Sequence, residues 1–159
     1  MNKKLALLGG KILALGCNPK SNEKKERRKV QAGIFLLKQM NSDLNFHYRW
    51  EQGPNSPELS AVWDELRNHI EFFGLKQIDP PYRQKNCLRI CQAIHFGPEK
   101  KMVKKGFWAQ GLSALADLRG GDLSEKKMKK QIRWTFGPKI KFYFDELKIT
   151  LQNLKKNDH

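Results

Sequence analysis

Lys126, Lys129, Lys130 and Arg133 fall at i, i+3, i+4 and i+7. On a helix turning about 100° per residue they share an arc of about 100°. Met128 and Ile132 take the opposite arc, which leaves one face for a core and another for a row of cations, with Lys127 and Trp134 beside it. Such a row does electrostatic rather than covalent chemistry: it attracts phosphate oxygens and displaces their counterions. Lys100, Lys101, Lys104 and Lys105 form a second basic group on one side of a pair of helical turns. The other use of such faces is plain solvation, and both readings stand at this point. No Asn, Gln or Arg arrangement matches base edges, so phosphate contact is expected and sequence readout is not.

Cys87, Cys91 and His95, at i, i+4 and i+8, are the nearest approach to a metal site. A helix advances ~6 Å for each such step, too far for the outer two to close on one ion. Leu88, Ile90 and Ile94 share the segment, and a free cysteine behaves as a small hydrophobe, so core packing is the expectation. The four histidines, His47, His69, His95 and His159, are scattered. There is no Ser-His-Asp pattern, no paired carboxylates and no glycine-rich phosphate loop, so neither an enzyme nor a cofactor or metal is expected.

The elements that must hold the cations follow from periodicity. At 159 residues the chain suits one domain, burying roughly 70% of its unfolded surface without disulfides or a metal. Its three cysteines, Cys17, Cys87 and Cys91, lack framework spacing and read as reduced thiols in a cytoplasmic protein. The apolar run after Lys3 and Lys4 is interrupted by Gly9, Gly10 and Lys11, and no run approaches the ~20 apolar residues of a span, so neither secretion nor a membrane is expected. Net charge is +15, unevenly spread: residues 43–80 sum to −4 and the remainder to +19. A basic surface with a mildly acidic patch is the consequence, and solubility alone does not require it.

Along the chain, Leu5, Leu8, Ile12 and Leu15 predict a short helix over 3–15, ended by Gly16 to Pro19. Ser21 or Asn22 caps a second helix opening near Glu23, crowded with Lys24, Lys25, Arg27, Arg28 and Lys29 before Val30, Ile34 and Leu37. Five cations at a helix N-terminus oppose the dipole. Leu44, Phe46, Tyr48 and Trp50 alternate with polar residues, which predicts an extended segment or small hairpin. After the Gly53-Pro54 turn, Ser56, Pro57 and Glu58 open the clearest helix. Its stripe of Leu59, Val62, Trp63, Leu66, Ile70 and Phe73 marks it as the core helix around which the rest is arranged. A helix over about Tyr82 to Phe96 follows, then one with Phe107, Trp108, Leu112, Leu115 and Ala116 facing inward. Asp122 with Glu125 reads as a capping box for the basic helix, and Gly120-Gly121 makes the pair a hairpin over 98–135. Pro138 starts a last helix over 138–156, with Ile140, Phe144, Leu147, Leu151 and Leu154 as either a closing clasp or a homodimer seam.

The fold expected is therefore mainly α: a single-domain bundle of about six or seven helices with one extended or hairpin segment near residues 44–50. One stretch of this chain also carries a family likeness. Lys29-Val30-Gln31 opening an apolar helix, then Trp50-Glu51-Gln52-Gly53-Pro54 and Pro57-Glu58-Leu59, resembles the Lys-Leu-Gln and Trp-x-x-Gly-Pro arrangement of the Panacea antitoxin domain, over residues 22–73. Ala32 to Phe35 departs from that pattern, and 98–159 lies outside it. The resemblance implies a helical domain of bacterial or phage origin that neutralises a toxin encoded beside it. The expectation combines both lines: a non-catalytic protein, monomer or homodimer, that grips DNA or RNA phosphates through its eight singled-out cations. The alternative is an antitoxin or other protein-binding module, using the basic surface or the acidic window around Glu51–Glu65.

Overall fold

The computed structural model describes residues 1–40, 44–50, 53–95, 105–119, 124–136 and 144–156. Seven α-helices account for most of them: α1 (Lys3–Ala14), α2 (Lys24–Gln39), α3 (Pro57–Phe73), α4 (Lys85–His95), α5 (Lys105–Arg119), α6 (Glu125–Phe136) and α7 (Phe144–Lys156). Two-residue strands β1 (Arg49–Trp50) and β2 (Pro54–Asn55) pair antiparallel, Arg49 opposite Asn55 and Trp50 opposite Pro54. The mainly helical bundle with one small hairpin is the architecture that the periodicity predicts.

The centre of the bundle is α2, not α3. Every residue from Val30 to Leu37 is buried, so this half of the helix is enclosed on all sides rather than laid on a surface. It packs against α4, α5 and β2, while α5 in turn holds α6 and α7. Gly33 leaves room for the buried Leu15 side chain just past α1, because a Cβ there would lie 2.7 Å from its Cδ1. By contrast α3 buries one stripe, Leu59, Trp63, Leu66 and Ile70, and its main helical neighbour is α1. Phe73, expected on that stripe, is 63% exposed. The last turn of α3 overshoots the core, and the Phe73 ring lies instead against His69, centroids 4.6 Å apart.

Polar groups tie α3 to the chain before it. Ser56 is the N-cap, its Oγ accepting from the Leu59 N–H at 3.1 Å, with Pro57 in the first turn. The buried Gln31 of α2 reads the same turn from the other side. Its Oε1 accepts from the Ser56 N–H at 2.8 Å, and its Nε2 donates to the Ser56 carbonyl and the Ser60 hydroxyl, each at 3.1 Å. Trp63 Nε1 donates to the Pro19 carbonyl at 2.7 Å, and Arg67, paired with Asp64, donates to the Ser21 carbonyl at 3.0 Å. The Lys-Val-Gln and Gly-Pro segments, 25 residues apart at Gln31 and Ser56, thus meet through buried hydrogen bonds.

Several boundaries differ from expectation for local reasons. Neither Ser21 nor Asn22 caps α2. Glu23 holds that position without a side-chain bond to the helix, and the Ser21 hydroxyl accepts from the Glu23 N–H instead. The predicted helix from Tyr82 splits into a 3₁₀ turn, Pro81–Arg83, and α4, because Gln84, at φ −105° and ψ 54°, leaves helical geometry between them. Leu88 consequently faces outward, while Cys87, Ile90 and Ile94 are buried as core. The basic helix begins at Glu125, so its cap is Ser124, whose hydroxyl accepts from Lys127 N–H at 3.4 Å. A capping box from Asp122 would need a helix starting two residues earlier, and Asp122, Gly120, Gly121, Pro138 and Ile140 lie outside the described residues.

Candidate nucleic-acid interface

The sequence of α6 dictates two faces, and the fold uses them as the arc predicts. Ile132 is buried and Met128 half-buried against the core, while Lys126, Lys129, Lys130 and Arg133 are exposed. Among the described residues none of these four cations pairs with a carboxylate. Glu125, the one acid of α6, is engaged from α7 by Lys148 Nζ at 2.6 Å, which also lies 4.0 Å from Asp145. That crosslink occupies the carboxylate an i, i+4 contact to Lys129 would use. Lys129 instead has its Nζ 5.7 Å from the Phe144 ring centroid, an orientation that keeps the ammonium charge while resting its stem on the core.

Trp134 is 91% exposed, on the flank of the cation arc next to Lys130. An indole left in water beside a row of ammonium groups costs solvation energy without any packing return, and it offers a flat π-face to a partner.

Of the eight cations singled out, these four come together. Lys105 begins α5, the helix against which α6 packs. Lys100, Lys101 and Lys104 lie outside the described residues. Of the cations of α2, Lys25 pairs with Glu23 at 3.7 Å, while the carboxylate of Glu26 accepts from the Asn18 N–H at 3.1 Å.

The thiols are built for packing. Burial, with Glu26 adding to it, pushes the Cys17 thiol up to about 12, and burial pushes Cys87 up to about 11 against the opposing pull of Lys11. Cys91 is raised by burial as well. Thiols held protonated in this way are poor nucleophiles and poor metal ligands.

What periodicity does not announce is Lys11. The interruption that breaks the apolar run of α1 places this lysine inside the molecule, bonded to Gln84 Oε1 at 3.2 Å. A lysine within an otherwise apolar stripe is the available signal.

Set against models of protein families, against characterised proteins and against solved structures, the chain matches none of them. No helix of the described residues is long and apolar enough to cross a membrane.

Proposed function

We propose that this is a non-catalytic, cytoplasmic nucleic-acid-binding protein of bacterial or phage origin, gripping phosphates through α6 and through Lys100, Lys101, Lys104 and Lys105. The observation that carries the reading is the exposed row Lys126, Lys129, Lys130 and Arg133, whose charge no carboxylate neutralises among the described residues. Four cations at neighbouring helical positions repel one another, and a polyanion relieves that repulsion while releasing its own counterions. Trp134 adds a stacking surface that unpaired bases would use and a closed duplex would not. Fluorescence anisotropy with a random-sequence duplex and a single strand of equal length tests this. With four phosphate contacts, affinity falls on the order of a hundredfold between about 50 and 200 mM salt. Binding that ignores salt, or that survives joint replacement of the four residues by Glu, overturns the proposal.

A second reading, a protein-binding module of the antitoxin kind, draws on a different observation. Phe72 is 82% exposed and, with Phe73 and Leu75, makes an apolar patch at the end of α3. It closes the stretch that resembles the Panacea domain. Co-purification with the product of the adjacent reading frame, lost on Phe72→Ser with Phe73→Ser, supports this reading. An adjacent frame whose product is neither toxic nor retained removes it.

A further inference from the structure

A cavity of about 470 Å³ opens between α1, the end of α2 and the start of α4. It lies within the size range of small-molecule sites. Its shape depends on two glycines of α1. A Cβ on Gly10 would stand 2.7 Å from the Asp79 carbonyl oxygen and one on Gly9 would stand 2.9 Å from Ile78, so bare backbone lets the loop at 78–79 press close to the helix. The Asp79 N–H fixes that contact by donating to the Ala6 carbonyl at 3.1 Å.

The chemistry of the lining is unequal. Among the described residues of the lining, Lys11, Arg83 and Lys85 bring three positive charges and Asp79 brings one carboxylate. Lys11 is 7% exposed, and among the described residues its one hydrogen bond is to the neutral amide oxygen of Gln84. Among the described residues no carboxylate lies within 4.0 Å of it. An ammonium has three donors, so the bond to Gln84 leaves two that an acceptor in the cavity would engage. Beside it stands the first turn of α4, Lys85 to Cys87, which contains no acidic residue and adds the positive end of an eleven-residue helix. Leu7, Leu37 and Met40 give the lining its apolar part.

We propose that this cavity binds a phosphate monoester, its phosphate held between Lys11, the α4 N-terminus and Arg83, and its organic body laid against Leu37 and Met40. A surplus of two positive charges matches a dianionic phosphate better than a single carboxylate, and the volume exceeds what a bare inorganic ion would fill. The site is separate from α6, and the proposal does not depend on nucleic-acid binding.

Titration calorimetry of the full chain with AMP at low ionic strength tests it, alongside inorganic phosphate and benzoate. One saturable site is expected for AMP, with both comparison ligands weaker. Lys11→Met lowers AMP affinity by about tenfold or more, the loss of a charge-assisted contact. Joint replacement of Lys126, Lys129, Lys130 and Arg133 by Gln leaves it unchanged. AMP binding that persists in Lys11→Met, that disappears with the α6 replacements, or that benzoate matches overturns the proposal. Should Lys11→Met fail to give the native circular dichroism spectrum, Arg83→Gln at the exposed mouth decides: a severalfold weaker site supports the assignment, and an unchanged one overturns it.

Discussion

The junction of α2 with α3 and the outer face of α6 handle polarity in opposite ways. At the junction, Gln31, Ser56 and Ser60 spend their hydrogen-bonding capacity on one another inside the protein. On α6, four cations face water, paired with no carboxylate among the described residues. An unpaired polar group is costly in the interior and cheap at the surface, so the same chemical condition means instability in one place and availability in the other. Polar residues of the first kind specify the fold; those of the second are free for a partner.

The contrast implies that disturbing the junction is the more damaging change. Gln31→Leu removes three hydrogen bonds and strands the buried Ser56 N–H, while the Ser56 carbonyl keeps the Ser60 N–H, at a cost of about 3 kcal/mol in urea unfolding. A loss below about 1 kcal/mol would mean that water replaces the amide and that the junction is no more sealed than the surface.

Acid–base behaviour separates the two regions further. The interior should answer to alkaline pH. An unfolded thiol releases its proton near the ordinary value of 9.0, whereas folded Cys17 does so near 12 and folded Cys87 near 11. Between those values the unfolded chain binds fewer protons than the folded one, so stability falls as pH rises above about 9. Thermal melts from pH 8 to 11 should show that decline, and the double variant Cys17→Ala with Cys87→Ala should show a shallower one. Equal slopes would remove the thiols as its source.

How much of this contrast is readable from sequence depends on how local its causes are. The amphipathic division of α6 and the Ser56-Pro57 start of α3 follow from spacing and capping chemistry within one helix, and both are found as predicted. The central place of α2 is less legible. Its burial on all sides shows in the unbroken apolar run from Ala32 to Leu37, yet the five cations before that run give the whole helix a polar character. Phe73 misleads because periodicity marks a stripe but not where a neighbouring helix stops covering it. Lys11, Gln84 and the glycines that admit the 78–79 loop depend on contacts some seventy residues apart, which no window of sequence contains.

A smaller effect, of opposite sign, concerns the hairpin. The Tyr48 hydroxyl is buried and has no hydrogen-bond partner among the described residues, while its ring meets Phe35 edge-on at 5.2 Å. Tyr48→Phe keeps the ring contact and discards the stranded hydroxyl, so it should stabilise by about 1 kcal/mol. Destabilisation would place a water or a further residue on that oxygen.

The least effect on stability belongs to the residues given most weight in function. Lys126 and Lys129, Lys126 and Lys130, Lys129 and Arg133, and Lys130 and Arg133 are like-charged neighbours at three or four residues' spacing. Each such pair costs a helix about 0.2–0.5 kcal/mol, and Lys126 also stands in the first turn, where cations oppose the dipole. Joint replacement of the four by Gln should therefore raise the melting temperature slightly, by more at low salt than at high, since screening already weakens the repulsion. A melting temperature that falls would show these side chains to be structural, tied into the bundle as Gln31 is, and would deprive the polyanion surface of its main support. A rise that vanishes at high salt, together with lost binding, is the signature of charge kept against the interest of the fold.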